Sequence, residues 1–539
     1  MNYYIINNAS RAAAYGIGTY VRELTKILIN NPNICLYHID LYSEVKEFTI
    51  NKDELGVTHY QIPLGNSQIE TEMYCRTAAY LLFPYLPHEE MSIYHFNYYQ
   101  HYALALALKA KNLNNRIILT VHYWNWCFEL DGNLKKFREI IKNENTDEKN
   151  NFIRYEYLQN KSFMRFADSI IVLSNFAKNV LNIDYNIELN KIYLIHNGLE
   201  DLDKDKINEI TDSEQRIIYV GRLDRIKGVK YLLEAFREVV QTHKNAKLTI
   251  VGDGDYNECL KLCKGLWDKI TFTGKISQEE LLEQYNNTMI GVLPSFHEQC
   301  SYSAIEFMRH GIPFVATNST GLNEMLDIIP ELKVNIDEDN FVQRHFVQEL
   351  SEKIIFLLDN INIRRDCAKR VRKQYEISYS KKMLIHHMNN LISHEMSDKS
   401  LIVSNDFLQD MDNYMISLIH IKPDIDIEFY GISGIGIYLW WRVCNMDEIE
   451  EEAMIYKIKE YLIYFIDWLY EVITENSIQR CCKELDFTLR SMQEANFYQV
   501  RIGELVEVLH CLPTKEAKEL APQKNEIIEN TLQMLITKI

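Results

Sequence analysis

The chain lacks several features that would assign it to an extracellular or membrane-spanning class. Its 11 cysteines in 539 residues are odd in number and follow no disulfide-framework or paired metal-binding spacing, so we expect reduced thiols in a cytosolic protein. No apolar run approaches the roughly 18 residues that a membrane-spanning helix needs. Residues 1–7 do not combine a basic region with an apolar core, and we therefore expect no signal peptide.

An excess of positive charge is also absent. The formal net charge is −18, which argues against a general affinity for nucleic acid or anionic lipid. The acidity is uneven, because residues 400–539 contain 24 acidic and 12 basic residues. The length predicts about three domains, and a hydrophobic content of 47% supplies enough apolar material for several cores.

Strand and helix patterns alternate through the first 198 residues. A short strand at 3–6 leads through a loop to Gly16 and Gly18, and an amphipathic helix follows. Glycines at such a turn let backbone N–H groups approach a phosphate or a sugar, although an ordinary turn is the alternative. Further strands are predicted at 92–96, 116–121, 169–173 and 191–195.

Side chains that could face a substrate follow the strand at 116–121. His122 ends this strand and either contacts the substrate or is a capping or core histidine. Residues 123–128 are unusually aromatic. They could line an acceptor pocket or touch a membrane surface, but packing beneath the following helices is the favoured interpretation. Two charged amphipathic helices are then predicted over 134–166.

The alternation restarts after a polar, acidic segment at 199–215, which we interpret as a linker. The predicted helices lie at 229–242, 304–310 and 344–376, and the predicted strands at 216–220, 248–251, 270–272 and 289–293. Residues 312–316 and 320–321 are expected to complete this second sheet. Alternating strands and helices give parallel sheets covered by helices on both faces. We therefore predict an α/β fold with two Rossmann-like doubly wound domains, 1–198 and 199–376, that face a cleft.

The last part of the chain changes character. Strand signals vanish over 400–539 and helical patterns replace them, notably over 456–473, so we predict an all-α appendage. Residues 430–439 resemble the glycine turn that opens an inner helix in lanthionine-synthetase-like α/α barrels, which suggests a peptide acceptor. A helical module for docking or self-association is the favoured interpretation.

Charged residues follow the strand ends of the second domain. Arg222 and Lys227 lie in one loop and could clamp a diphosphate, or they form a solvated basic loop. Glu298 could hydrogen-bond sugar hydroxyls. Glu306 suits a ribose diol, although a carboxylate stabilised by the helix N-terminus is the alternative. The turn at 252–255 carries two aspartates, and a structural turn is favoured there over a metal site.

These residues together resemble the retaining nucleotide-sugar glycosyltransferases of family four, which have the GT-B fold. The resemblance covers about residues 1–395, and the segments that carry it are 219–228, 251–254, 272–274 and the pair Glu298-x7-Glu306. Gly16 and Gly18 match the N-terminal glycine loop of that family, and His122 matches its strand-end histidine. A helix at about 377–395 is expected to cross back to the first domain.

The resemblance implies a role for each matching residue. Glu298 and His122 become the catalytic candidates. The implied donor-binding set is Gly16, Gly18, Arg222, Lys227, Gln299, Cys300, Ser301 and Glu306. The implied nucleobase side is Thr273, Gly274, Lys275 and Ile276. Neither a metal nor a cofactor is implied. Retention follows from front-face attack in which a donor phosphate oxygen accepts the acceptor's proton.

Two positions depart from the family pattern. Gln299, Cys300 and Ser301 replace the usual glycines and aromatic residue, and Tyr123 replaces the usual aspartate after His122. We predict a metal-independent retaining glycosyltransferase in the cytosol, with peripheral membrane attachment left open. Its acceptor, a glycan, lipid-linked glycan or peptide, would bind mainly to residues 1–198. A non-catalytic nucleotide-sugar-binding or scaffold protein is the alternative, and a sugar-nucleotide epimerase is a third hypothesis.

Overall fold

The computed structural model describes residues 1–9, 16–64, 71–82, 85–87, 90–112, 114–142, 148–202, 215–337 and 341–397. These residues form two compact units. Unit 1 contains residues 1–119 and 166–168, and unit 2 contains residues 120–165 and 169–397. The predicted all-α appendage at 400–539 and most of the predicted linker lie outside the described residues.

Unit 1 is built from strands and helices in alternation. Its elements are β1 (Asn2–Asn8), α1 (Gly16–Leu28), β2 (Cys35–Ser43), β3 (Thr49–Lys52), β4 (Thr58–Pro63), α2 (Thr71–Leu82), β5 (Ser92–Phe96), α3 (Tyr102–Lys111) and β6 (Arg116–Val121). The strands lie in the order β3-β4-β2-β1-β5-β6. All neighbours are parallel except β3 and β4.

Burial explains why β1 lies in the interior of its sheet. Its residues Tyr3 to Ile6 are all buried, as expected for a parallel strand covered on both faces. The helix α1 packs one apolar face, which includes Tyr20, Leu24 and Leu28. This amphipathic pattern is the one that the sequence shows at helical spacing.

Unit 2 contains the second series of elements. They are α4 (Asn125–Glu129), α5 (Leu134–Lys142), α6 (Glu148–Phe166), β7 (Ser169–Val172), α7 (Asn175–Ile183), β8 (Ile192–Leu194), β9 (Arg216–Val220), α8 (Val229–Thr242), β10 (Lys247–Val251), α9 (Tyr256–Leu262), β11 (Ile270–Gly274), α10 (Gln278–Asn286), β12 (Ile290–Leu293), α11 (Tyr302–His310), β13 (Phe314–Thr317), α12 (Thr320–Met325), β14 (Lys333–Val334), α13 (Gln343–Asp359), α14 (Ile361–Gln374) and α15 (Lys381–Ser397). Strands β7 and β8 pair in parallel. A six-stranded parallel sheet has the order β11-β10-β9-β12-β13-β14.

One predicted strand of the second sheet is wrong. Residues 320–321 do not extend that sheet; they begin α12, and the last strand is β14 at Lys333–Val334. The backbone of Thr320 has φ 36°, which is far from the extended values of a strand. The last strand of the sheet is therefore β14, which follows α12 in the chain.

The aromatic segment after His122 packs inside unit 2. Trp124 and Trp126 are buried and stack on each other with ring centroids 6.1 Å apart. Trp126 also stacks on Phe137 of α5 at 4.3 Å, and Trp124 stacks on Tyr185 at 5.9 Å. The interpretation of this segment as packing is confirmed for both tryptophans.

The helix that was expected near 377–395 is α15. The hydroxyl of Ser169 donates a hydrogen bond to the Glu395 carboxylate, and both residues are buried. Leu199 pairs with Ser380 just before this helix. The end of the described chain therefore packs against residues that precede β9. Within the described ranges, no helix combines the length and the apolar character needed to cross a bilayer.

Candidate functional site

The six-stranded sheet of unit 2 has a reversal of strand order at β9 and β12. The chain adds β10 and β11 on one side of β9, then crosses over and adds β12, β13 and β14 on the other side. Because the loops after β9 and β12 leave in opposite directions, a crevice opens at their carboxyl ends, where open α/β sheets bind ligands. The loop with Arg222 and Lys227 follows β9, and the loop with Glu298 follows β12.

The loop after β9, residues 221–228, is called the basic loop. Its last residues form a short 3-10 helix, Arg225–Lys227, which Asp224 caps by accepting a hydrogen bond from the Lys227 amide. Gly228 follows with φ +69°, and a Cβ there would lie 2.1 Å from the Pro294 carbonyl oxygen. Only glycine permits this left-handed turn at such a close approach. The glycine thereby places Lys227 beside the loop after β12.

The side chains of Lys227 and Glu298 meet in this crevice. Lys227 Nζ lies 2.5 Å from Glu298 Oε1, and the two side chains are 18% and 14% exposed. The Ser295 hydroxyl donates to the same carboxylate oxygen at 3.2 Å. Arg222 lies further out, with its side chain 42% exposed and Nη2 3.0 Å from Asp224. The site thus contains one sheltered cation beside a carboxylate and one more accessible cation.

Glu306 lies within α11 and its carboxylate is held from outside that helix. Ser301 caps the helix by accepting from the Ala304 amide, and the Ser303 hydroxyl donates to the Val220 carbonyl at the end of β9 at 2.9 Å. The Tyr285 hydroxyl donates to Glu306 Oε2 at 2.5 Å. Burial raises the pKa of Glu306 above its ordinary value. Tyr285 is a residue that the sequence analysis missed, because nothing in the sequence marks this contact.

The backbone of Glu298 is fixed by the first two residues of α12, which we call the Glu298 brace (Thr320 and Gly321). The Glu298 amide donates to Thr320 Oγ1 at 3.0 Å, and that hydroxyl donates to the Glu298 carbonyl oxygen at 2.6 Å. The Gly321 amide donates to the same carbonyl at 2.7 Å. A Cβ on Gly321 would lie 1.8 Å from the Gln299 carbonyl oxygen. The brace therefore requires glycine at 321.

The residues after Glu298 contact the segments that follow β7 and β8. Gln299 Oε1 accepts from the Ser174 hydroxyl at 2.9 Å, and the Cys300 carbonyl accepts from the Asn197 side chain at 2.7 Å. Burial raises the pKa of the Cys300 thiol, which is therefore uncharged at neutral pH. The Gln299 side chain and the Cys300 backbone thus hold this loop in place.

His297 is a buried residue that the sequence analysis also missed. It is 4% exposed, and neither ring nitrogen has a hydrogen-bond partner among the described residues. Burial lowers the pKa of His297 to about 3, with Lys227 as a second cause, so the ring is neutral. Its ring meets Phe128 edge-on at 5.9 Å. A neutral imidazole offers one donor and one acceptor to a bound ligand.

The other predicted site residues lie as follows. His122 follows β6 directly and is half-buried in unit 2. Gly16 and Gly18 lie in the first turn of α1 in unit 1. Thr273 and Gly274 end β11, followed by Lys275 and Ile276. The structure brings Lys227 and Glu298 into contact.

Both aspartates of the turn at 252–255 hydrogen-bond to backbone amides of the chain. Asp255 caps α9 by accepting from the Asn257 amide at 3.0 Å. Asp253 Oδ1 accepts from the Gly254 amide at 2.8 Å. A Cβ on Gly252 would lie 1.9 Å from the Gly221 carbonyl oxygen. The turn therefore packs tightly against the start of the basic loop, which supports the structural interpretation.

Glu324 of α12 is a second buried carboxylate near this loop. Both of its oxygens accept from the Asn175 amide at the start of α7, at 3.0 and 2.8 Å. Burial raises the pKa of Glu324 to about 7, although the bonds from Asn175 act in the opposite direction. The folded protein thus holds a proton on Glu324 over a pH range in which the unfolded chain has lost it.

We expect Glu324→Gln to remove a pH dependence of stability. The ordinary pKa is 4.5 and the folded value is about 7, so the wild-type free energy of unfolding should fall as pH rises through this window and stay lower above it. Glutamine cannot ionise and should remove up to about 3 kcal/mol of that decline. Urea unfolding of wild type and variant at pH 5 and pH 8 measures the fall in the free energy of unfolding. Parallel profiles for the two proteins would contradict the expectation.

Two family models match successive parts of the chain. The model described as Glycosyltransferase Family 4 matches residues 16–201, and the model described as Glycosyl transferases group 1 matches residues 201–374. The two matches meet at residue 201, close to the boundary predicted between the two domains. The basic loop, Glu298 and Glu306 all lie within the second match.

Individual proteins show the same similarity. An uncharacterized glycosyltransferase of Methanocaldococcus jannaschii is 32% identical over 29% of this chain and 44% of its own length. The alpha-D-kanosaminyltransferase of Streptomyces kanamyceticus is 23% identical over 40% of this chain and 58% of its own length. The chain therefore spans about half the length of these curated relatives.

Solved structures share the fold. Sucrose-phosphate synthase from Thermosynechococcus elongatus superposes with a TM-score of 0.57 and 19% identity, over 73% of this chain and 99% of that one. Anabaena HepE, solved in complex with UDP, superposes with a TM-score of 0.53 and 12% identity, over 73% of this chain and 100% of that one. At these identities the likeness shows the fold, and it confirms the predicted GT-B class.

Proposed function

Because the chain is a member of the family 4 glycosyltransferases with the GT-B fold, we propose that it moves a sugar from a nucleoside-diphosphate donor to an acceptor with retention of configuration. The observation that carries the proposal is the contact between Lys227 and Glu298 in the crevice between β9 and β12, with Glu306 on the following helix. A cation, a carboxylate and a helix N-terminus at this position suit a sugar diphosphate.

The donor diphosphate is assigned to the basic loop and to the start of α11. Lys227 would place a point charge on the phosphates, and Arg222, which is more exposed, would close over them from the solvent side. The amides of Gln299 to Ser301 and the N-terminus of α11 would add partial positive charge. These groups stabilise the charge that develops on the leaving diphosphate, so the proposal requires no metal ion.

Glu306 and Glu298 are assigned different parts of the donor. The Glu306 carboxylate accepts from Tyr285 through one oxygen, and a carboxylate has further acceptor capacity for the two hydroxyls of a ribose. Glu298 would lie at the sugar, where it releases part of its contact with Lys227 when the phosphates arrive. Thr273 to Ile276 would lie on the nucleobase side. Gly16 and Gly18 are assigned to donor binding from the resemblance to the family.

The retaining step needs few protein groups. The acceptor oxygen would attack the anomeric carbon from the side of the leaving diphosphate, and a donor phosphate oxygen would take the acceptor's proton. His122, at the end of β6, is proposed to orient the reacting groups. The acceptor would be a glycan, a lipid-linked glycan or a peptide, bound mainly by residues 1–198 and assisted by residues 400–539.

The proposal is tested with a panel of nucleotide sugars. The complex of Anabaena HepE with UDP makes UDP-sugars the first choice, followed by GDP-, ADP- and dTDP-sugars. We expect binding by calorimetry and slow donor hydrolysis for at least one donor, with both lowered in Arg222→Ala and Glu306→Ala. The proposal is wrong if no donor binds, or if both variants behave as wild type.

Two other outcomes separate the alternative functions. Tight donor binding without hydrolysis or transfer to any acceptor would favour the non-catalytic binding or scaffold protein. A product of unchanged mass with an altered sugar would identify the epimerase. Mass spectrometry of the reaction mixture distinguishes these results from transfer.

A further inference from the structure

Three side chains on neighbouring strands of unit 1 converge from β2 and β4. These strands are parallel, and His38 stands opposite His59 in the register. Asp40 is two residues beyond His38 and therefore lies on the same face. One ligand atom from each of the three residues lies within 4.8 Å of the others. We propose that this His38 cluster (His38, Asp40 and His59) binds a divalent transition-metal ion of the zinc class.

The hydrogen bonds around His38 decide which ring nitrogen is available. Thr25 Oγ1 lies 3.0 Å from His38 Nε2. The single hydroxyl hydrogen of Thr25 is donated to the Val21 carbonyl at 2.8 Å, so Thr25 must accept a hydrogen from Nε2. His38 therefore carries its hydrogen on Nε2 and presents the lone pair of Nδ1.

His59 is held in a similar way. Its Nε2 lies 3.4 Å from Asp53 Oδ2, a carboxylate that can only accept, and its Nδ1 lies 2.7 Å from Asp40 Oδ2. Without a metal, this 2.7 Å contact is a hydrogen bond that His59 Nδ1 donates to Asp40. A divalent ion would take the place of that hydrogen and be bound by the Nδ1 lone pair and the Asp40 carboxylate. Metal-binding histidines commonly have their other nitrogen held by a carboxylate or similar acceptor, as Thr25 and Asp53 do here.

The spacing and the exposure also suit an ion. Two ligand atoms at about 2.0–2.1 Å from one metal are roughly 3.0–3.4 Å apart, so an ion would move His59 Nδ1 and Asp40 Oδ2 slightly apart from their present 2.7 Å. The imidazole rings of His38 and His59 are stacked, 4.6 Å apart and tilted by 27°, and one ligand atom of each lies within 4.8 Å of the Asp40 carboxylate. His38 is buried, whereas the side chains of Asp40 and His59 are 17% and 20% exposed and leave a path from solvent.

The ligand types select the class of metal. Two imidazoles and one carboxylate suit Zn²⁺, Co²⁺ or Ni²⁺, whereas Mg²⁺ and Ca²⁺ prefer oxygen ligands. The ion would link β2 to β4. Because the His38 cluster lies in unit 1 and the charged loops of the proposed donor site lie in unit 2, this inference does not depend on the proposed transferase activity.

The test uses the full chain, stripped of metal with a chelator and dialysed against Zn²⁺ at pH 7.5. The measured quantity is the number of ions per chain in wild type, His59→Gln and Asp40→Asn. Residues 398–539 include further cysteines and His510, so the difference between proteins is decisive. We expect both variants to bind one ion fewer than wild type. His387→Gln, at an exposed histidine of α15, is the matched control and should bind as many ions as wild type.

A second measurement reports on the ligands themselves. Co²⁺ bound by the His38 cluster should give visible absorption that is lost in both variants and kept in the control. Circular dichroism without metal verifies folding, and Asp40→Asn, which preserves shape, decides the matter if His59→Gln does not fold. Equal Zn²⁺ stoichiometry and equal Co²⁺ spectra in wild type and a folded cluster variant would overturn the inference.

Discussion

Lys227→Ala is expected to lower kcat/KM for the nucleotide-sugar donor by about 100-fold or more. Lys227 is the sheltered cation of the crevice, 2.5 Å from Glu298, and removal of one electrostatic stabiliser of a developing charge costs roughly 10²–10³ in rate. The variant also leaves Glu298 without its cation, so donor binding should weaken as well. Steady-state kinetics on the best donor of the panel measure the loss.

The matched control for this result is Lys230→Ala. Lys230 lies three residues later in α8, with its Nζ 4.8 Å from the ring of Tyr231, and its removal changes the net charge by the same amount. We expect kcat/KM within about threefold of wild type, because a cation–π contact near the surface contributes only about 0.5–1 kcal/mol. Equal losses in the two variants would mean that overall charge, and not the position of Lys227, matters for the donor.

Gly321→Ala is expected to destabilise the protein by about 3 kcal/mol or more and to abolish donor turnover. The new Cβ would lie 1.8 Å from the Gln299 carbonyl oxygen and 2.8 Å from that of Glu298. These are backbone atoms, which cannot rotate away, so either α12 or the loop after β12 must move. Urea unfolding gives the stability, and donor hydrolysis gives the consequence for Glu298.

Gly16→Ala serves as the stability control for that substitution. A Cβ at Gly16 would meet no atom within 4 Å in the part of the chain that the structure describes, and the residue begins α1. Alanine in a helix restricts the unfolded chain, so a gain of up to about 1 kcal/mol is expected. If Gly321→Ala unfolds at the same urea concentration as wild type, the close approach of Gly321 to the Gln299 carbonyl oxygen is contradicted.

Much of the fold can be read from the sequence where apolar periodicity is strong. The prediction for α8 has the same bounds as the structure, and β5, β6 and β9 agree equally well. By contrast, β2 was not predicted. Its segment contains His38 and Asp40 in place of apolar residues, so it does not resemble a buried strand. Residues 320–321 were assigned to a strand because their side chains give no signal for the positive φ of Thr320.

The candidate site is predictable in its residue types and not in its contacts. The spacing of Glu298 and Glu306 marks a loop followed by a helix, and the structure has both. The pairing of Lys227 with Glu298 joins residues 71 positions apart, and it depends on which strands lie side by side. No local pattern in the sequence encodes that order. The roles assigned to Gly16, Gly18 and His122 stay predictions, as do the domain boundaries.

The position of α15 has a consequence for how the protein is made. Ser169 and its partner Glu395 are 226 positions apart. A ribosome that adds roughly 5–20 residues per second needs about 11–45 s to travel between them. Until then β7 lacks the contact with α15, although the described residues of unit 1 have all been synthesised. Nascent chains that stop before residue 395 should therefore be preferred targets of proteases and chaperones within unit 2.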